Sequence, residues 1–126
     1  MAADQAERIS HALSAVALRI DEQRRLGTDV PRCALCFEVS GDGGHLQRSL
    51  IVDAQIRVFE GPIILPGMPR ATLRIAGVDL LALFAGKTTA DRLIADGRLT
   101  VEGRVEILAG IAACFPTGKN WLSVRL

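Results

Sequence analysis

The stretch ATLRIAGVDLLALFAGKTTADRLIADGRLTVEGRVEILAGIAACF, residues 71–115, organises the rest of this chain. Its first part predicts a short strand over residues 71–75 and an almost wholly apolar helix over residues 78–85. Gly86 ends that helix, because glycine adopts the left-handed backbone conformation without a steric penalty. The stretch therefore begins with a strand that leads directly into a helix.

The remainder of the stretch predicts a second helix, a strand and a third helix. The second helix is short: it begins at Thr88 or Thr89, whose hydroxyl can cap the first backbone amides, and ends at Gly97. A strand over residues 99–102 and a third helix over residues 105–115 follow. The whole stretch thus predicts two strands and three helices.

Two of these helices, residues 78–85 and 105–115, are apolar on nearly every side. A surface helix normally carries one apolar stripe and a charged opposite face. At least one of the two is therefore expected to face an apolar partner other than its own sheet, either a ligand cavity or a second subunit. The alternative, that both helices are ordinary core, stays open on this pattern alone.

Length and composition indicate one globular domain. The chain has 126 residues, of which 49% are hydrophobic and 23% charged. The net charge is +1, the aromatic content is 4%, and no basic run occurs. Since phosphate binding needs a concentrated basic surface, the sequence predicts that nucleic acid is not the main partner.

The sequence also predicts a cytoplasmic protein. No apolar run approaches the roughly 20 residues that span a bilayer. The first residues, MAADQAERISHAL, lack the basic region and apolar core of a signal peptide. Three cysteines, an odd number, suit a reducing compartment.

The chain before residue 71 predicts one helix and an antiparallel meander. Apolar residues recur at three- and four-residue spacing in a helix over residues 4–26. Alternating residues then predict strands over 33–40, 46–52 and 55–59. A last strand is expected over residues 117–126.

Two short motifs look like functional sites, but their context favours a structural role. Cys33 and Cys36 have C-x-x-C spacing, yet on a strand they point to opposite faces, and Cys114 is a lone third cysteine. GDGG, residues 41–44, lies between two strands, which favours a hairpin turn over a phosphate-binding loop. Neither motif predicts a metal or a cofactor.

The segment EGPIILPGMPR, residues 60–70, contains three prolines and two glycines, which exclude a helix or a regular strand. It also contains apolar residues, among them Ile64 and Met68. Such a loop either packs onto the core or forms the rim of a pocket.

No familiar catalytic constellation is present. The only histidines, His11 and His45, lie in segments without another reactive signal, and the chain has no tyrosine. His11 is expected on the polar face of the first helix. The sequence therefore predicts a protein that is not an enzyme and carries no cofactor.

Residues 86–115 resemble the sterol carrier protein 2 family. The family's pattern of small and apolar residues follows a strand and an apolar helix, as here. The similarity extends over roughly residues 30–116. The residues that carry it most clearly are Gly86, Lys87, Ala90, Leu93, Ile94, Gly97, Leu99, Val101, Glu102 and Gly103.

The resemblance implies an α+β fold: a five-stranded, mostly antiparallel sheet with helices on one side and a hydrophobic tunnel between them. Family members bind sterols, fatty acyl chains or other lipids without chemical change. Similar domains accompany alkyl sulfatases and assist bacterial quinone biosynthesis. The expected partner is thus a lipid or another long apolar molecule, with a homodimer or a partner enzyme as the alternative.

On this basis we predict which residues contact the lipid. The members of the set are apolar and lie on the two apolar helices, with two further residues from the proline-rich loop at the mouth of the tunnel. They are Leu80, Leu81, Phe84, Leu108, Ile111 and Phe115 as lining, and Ile64 and Met68 at the mouth.

Overall fold

A computed structural model describes residues 3–41 and 44–114. Along these residues the elements are α1 (Ala3–Arg25), β1 (Cys33–Gly41), β2 (Gly44–Val52), β3 (Ile56–Glu60), β4 (Arg70–Ala76), α2 (Gly77–Phe84), α3 (Ala90–Ala95), β5 (Leu99–Gly103) and α4 (Glu106–Ala112). Each corresponds to a predicted element, with ends that differ by at most three residues. The strand expected over residues 117–126 lies outside the described residues.

The five strands form one sheet in the order β3-β2-β1-β4-β5. Strands β1, β2 and β3 form the predicted antiparallel meander, and Gly41 faces Gly44 across the β1–β2 hairpin. β4 pairs with β1 in parallel and with β5 in antiparallel orientation. The predicted five-stranded, mostly antiparallel α+β fold is confirmed.

All four helices pack on the same face of the sheet. Alternate residues of β1, such as Leu35 and Phe37, point toward them because successive side chains of a strand point to opposite faces. The inward stripe of α1 includes Ile9 and Leu13, both fully buried. One contiguous apolar core therefore lies between the sheet and the helices.

Helices α2 and α3 begin and end much as the sequence predicts. The hydroxyl of Thr89, one of the two candidate caps, accepts a hydrogen bond of 3.2 Å from the backbone N–H of Arg92. Gly86 and Gly97 follow their helices with φ angles of 74° and 71°. The positive φ values explain why glycine occupies both positions.

Helix α4 is shorter than predicted, because its regular hydrogen bonding ends at Ala112. The next residues form a turn in which the Cys114 N–H donates to the Ile111 carbonyl oxygen at 3.0 Å. The Arg19 side chain of α1 donates to the Cys114 carbonyl oxygen at 3.1 Å. Arg19 thereby satisfies a carbonyl that the helix leaves without a partner.

An ion pair connects α2 to the start of β5. Asp79, which is buried, accepts two hydrogen bonds from the Arg98 guanidinium, one of them 3.1 Å from Nε to Oδ2. A buried carboxylate is costly unless it is paired in this way. The pair therefore fixes the first turn of α2 relative to the start of β5.

The opposite face of the sheet is covered in part by the proline-rich loop, residues 61–69. Ala34, Ile51 and Met68 form a small apolar cluster there, against which Ile63 packs. The loop thus packs onto the sheet, which was one of the two alternatives for this segment.

A buried serine attaches this loop to the sheet. The Ser49 hydroxyl donates to the Gly61 carbonyl oxygen at 2.8 Å and accepts from the Ile63 N–H at 3.0 Å. At the loop's far end, the Ala34 N–H donates to the Pro69 carbonyl oxygen at 2.9 Å. The loop backbone is therefore hydrogen-bonded to the sheet at both ends.

Candidate functional site

A groove of about 590 Å³ lies between α1 and α2 and is open to solvent. Its apolar side comes from the end of α2, and its polar rim comes from the first turns of α1. The lining residues are Glu7, Arg8, His11, Leu81, Phe84 and Ala85.

The helical period explains this arrangement on α2. Leu80 and Leu83, three residues apart, point into the core and are buried. Leu81 and Phe84 have the same spacing one residue further on, so they lie beside that stripe and are half-buried. Val78 lies on the outer surface with 64% of its area exposed. The apolar character of α2 therefore exceeds what its core contact uses, as the sequence predicts.

The two helices approach each other closely at Gly77, where α2 begins. A Cβ atom at this position would lie 2.8 Å from the Gln5 side-chain carbon Cδ. Because glycine has no such atom, the first turn of α1 can lie directly against the first turn of α2. Further along, the helices present Arg8 and His11 opposite Leu81 and Phe84, and the groove lies between them.

A second depression, of about 570 Å³, continues from the groove toward the start of both helices. It lies at the carboxyl ends of β1 and β4, the parallel pair. Arg8 lines both depressions. The residues that line this cleft are Asp4, Gln5, Arg8, Ser40, Gly41, Ala76, Gly77 and Val78.

Charged groups are confined to the α1 side of the groove and cleft. Among the described residues, Asp4, Glu7 and Arg8 form no ion pair with another side chain. His11 is exposed at the groove rim, on the polar face as expected. The site thus combines an apolar floor with a rim that carries both signs of charge.

The cysteines do not provide a reactive group. Cys33 belongs to the helix-side core, and burial raises the pKa of its thiol to about 12. Cys36 lies on the other face, where its sulfur is 3.6 Å from the Ser49 hydroxyl oxygen. The two therefore point to opposite faces, as predicted. Within residues 3–41 and 44–114, no three His, Cys, Asp or Glu side chains come together as a metal site.

Five of the predicted lipid-contacting residues belong to the helix-side core or pack against it. Leu80, Leu108 and Ile111 are fully buried within it. Leu81 and Phe84 pack against the same core and reach the groove. Phe115 lies outside the described residues.

The structure does not bring Ile64 and Met68 near this groove. Met68 is buried on the opposite face of the sheet, against Ala34 and Ile51. Ile64, in the same loop, has 68% of its area exposed. Their role at the mouth of a tunnel, and the tunnel itself, stay predictions.

The described part of the chain defines a small α+β domain with an apolar groove. The profile of the SCP-2 sterol transfer family matches residues 31–115. The chain therefore belongs to this family. The matched residues include Leu81 and Phe84 of the groove, but not α1, which ends at Arg25. No curated protein sequence matches the chain.

Similar solved structures share the fold. Sterol carrier protein 2 from Yarrowia lipolytica, in its apo form, is 22% identical with a TM-score of 0.60, over 70% of this chain and 75% of that chain. Palmitated SCP2L2 from Aedes aegypti is 16% identical with a TM-score of 0.66, and the alignment covers 90% of this chain and 93% of that chain. The UbiJ-SCP2 ubiquinone synthesis protein is 20% identical with a TM-score of 0.50, and the alignment covers 82% of this chain and 76% of that chain.

In the described part of the chain, no helix combines the length and apolar character needed to cross a membrane.

Proposed function

We propose that this protein binds a lipid with one long apolar chain and carries it, or presents it to another protein, without changing it chemically. Membership in the SCP-2 sterol transfer family supports a lipid ligand. The structural similarity to a palmitated protein over most of both chains supports an acyl chain in particular.

The observation that carries this proposal is the apolar floor of the α1–α2 groove. Leu81 and Phe84 line the groove and also pack against the buried core that contains Leu80, Leu108 and Ile111. A lipid chain in contact with Leu81 and Phe84 would therefore lie against a continuous apolar surface. We propose Leu81 and Phe84 as direct contacts and the other three as the wall behind them.

The driving force would be removal of the lipid chain from water. Each buried methylene contributes roughly 0.8 kcal/mol, so about ten methylenes give about 8 kcal/mol before the cost of association. Chains of about sixteen carbons exceed this number and leave a margin for that cost. Micromolar affinity, which corresponds to about 8 kcal/mol, is the expected range.

A pair of leucine-to-glutamate substitutions tests the groove directly. Leu81→Glu places a carboxylate on the apolar floor, where burial under a lipid chain would leave it without a partner. We expect at least a tenfold loss of affinity for a fluorescent fatty acid. Leu26→Glu is the matched control, because it makes the same change at an exposed leucine that lines neither the groove nor the cleft. Equal affinities in the two variants would exclude the groove as the lipid-binding site.

Native mass spectrometry, followed by solvent extraction, tests the function independently of the site. The proposal predicts additional mass that resolves into a lipid or isoprenoid. A bare protein that also takes up no fluorescent fatty acid would contradict lipid binding.

A second candidate function, presentation of apolar substrates by docking to an enzyme or to a second copy, has separate support. Large apolar side chains with more than 60% of their area exposed lie away from the groove: Leu18, Leu26 and Ile64. Exposed apolar surface commonly marks protein interfaces. Sedimentation over a wide concentration range tests the homodimer version, which a monomer at every concentration would contradict.

A further inference from the structure

Arg8 occupies the junction between the apolar groove and the polar cleft. It lines both, while the other groove residues line only the groove. An amphiphile whose chain lies on Leu81 and Phe84 and whose head group extends toward the carboxyl ends of β1 and β4 would pass this guanidinium. The residue is therefore placed where the chain and the head group of such a ligand meet.

The charges around Arg8 limit the head group that can be held there. Glu7 lies on the groove side and Asp4 on the cleft side, so two carboxylates flank one guanidinium. Within the described residues none of the three forms an ion pair with a side chain. With respect to the described part of the chain, all three charges are therefore available to a ligand.

We propose that Arg8 is a specificity-determining residue and that the site prefers a single-chain amphiphile with a zwitterionic phosphate–ammonium head. This inference rests on the proposed lipid-binding function and names the ligand class for the same groove. Arg8 binds the phosphate, since a guanidinium donates paired hydrogen bonds to phosphate oxygens. Asp4 and Glu7 attract the ammonium.

Other head groups satisfy only part of this arrangement. A simple carboxylate pairs with Arg8 but adds a third negative charge beside Asp4 and Glu7, and like charges placed together disfavour binding. A simple ammonium pairs with Asp4 and Glu7 but is repelled by the positive charge of Arg8. An alcohol avoids repulsion but leaves all three charged groups without an ionic partner. The zwitterionic head alone matches both signs.

Four ligands with the same sixteen-carbon chain test the proposal: hexadecylphosphocholine, palmitate, hexadecanol and hexadecyltrimethylammonium. Each is measured below its micelle concentration by displacement of a fluorescent fatty acid. We expect hexadecylphosphocholine to bind about tenfold more tightly than hexadecanol, the size of effect that charge-assisted hydrogen bonds produce.

Arg8→Gln should remove this preference, because hexadecylphosphocholine loses its phosphate partner while hexadecanol carries no charge for Arg8 to pair with. Arg92→Gln is the control, because it makes the same change in net charge at an exposed position on α3. It should keep the wild-type order of ligands. The ratio of the two affinities is a readout that a merely structural role of Arg8 would not change.

The outcomes separate this inference from the proposed function. If wild-type protein binds hexadecanol or palmitate as tightly as hexadecylphosphocholine, the head-group inference is wrong while lipid binding stands. A preference that survives Arg8→Gln also overturns it. If no sixteen-carbon ligand displaces the probe and the probe itself does not bind, the proposed function fails.

Discussion

The helix-covered face of the sheet and the loop-covered face bury their residues in different ways. The first carries most of the core, with strands, four helices and a groove at its edge. The second holds a small apolar cluster around Met68, closed by a loop that Ser49 attaches. Further along the second face, Arg74 pairs with Glu38, at 2.6 Å, and with Glu102.

This difference shows which face has apolar side chains that the core does not fully bury and that a ligand could contact. On the helix side, α2 carries more apolar side chains than its core contact uses, and Leu81 and Phe84 reach the groove. On the loop side, the cluster around Met68 is already covered, and further along the face lie the charged residues Glu38, Arg74 and Glu102. Substitutions on the two faces should therefore differ in their effects on stability and on lipid uptake.

The largest effect is expected from Leu80→Ala on the helix side. Leu80 is fully buried, and a truncated core leucine leaves a cavity as well as lost apolar contact. The free energy of unfolding, from urea denaturation, should fall by about 2–5 kcal/mol. Val78→Ala on the same helix should change it by less than about 0.5 kcal/mol. Equal losses would show that α2 does not pack as described.

A smaller effect is expected from Met68→Ala on the loop side. Met68 is buried, but its cluster has few members and the covering loop can close over the space. The loss of unfolding free energy should lie near the lower end for core truncations, about 2 kcal/mol. Lipid uptake should not change, with Ile64→Ala as the exposed control. Reduced uptake would instead support a binding site at this loop.

Ser49→Ala should destabilise the loop's attachment more than the whole fold. The substitution leaves the Gly61 carbonyl and the Ile63 N–H without their partner, at a cost of about 1–2 kcal/mol. Amide hydrogen exchange at Ile63 should accelerate, while that of α2 should not. Ser14→Ala, at an exposed position on α1, is the control. Unchanged exchange at Ile63 would contradict the role given to Ser49.

The smallest effect is expected from Glu102→Gln. Hydrogen bonding and attraction from Arg74 hold the pKa of the Glu102 carboxyl below its usual value near 4.5. The carboxylate thus stabilises the folded state above that value, and this contribution is lost as the pH falls through the lowered folded pKa. The variant should be slightly less stable than wild type at pH 7 and equal to it at strongly acidic pH. A difference in stability that persists at strongly acidic pH would show that it does not arise from the ionised Glu102 carboxylate beside Arg74.

Much of the fold could be predicted because local signals specify it. Gly86 and Gly97 mark helix ends through their backbone conformation, and Thr89 caps the next helix. The order of the strands could not be derived from such signals. The parallel pairing of β1 with β4 joins segments more than thirty residues apart, so it depends on tertiary packing.

The candidate site was only partly predictable for the same reason. The excess of apolar residues on α2 indicated Leu81 and Phe84. The approach of α1 to α2 depends on Gln5 lying against Gly77, a contact across seventy positions that no local pattern reveals. Arg8 was missed because, on α1 alone, it is an ordinary charge on a solvent-facing helix surface.

The most direct test of a lipid site on the helix-covered face is NMR spectroscopy of the protein with palmitate, with the leucine, isoleucine and methionine methyl groups labelled. We expect nuclear Overhauser effects between the palmitate chain and the methyl groups of Leu81, and none between the chain and Met68 or Ile64. Contacts from the chain to Met68 or Ile64 without contacts to Leu81 would contradict the account and move the site to the loop-covered face.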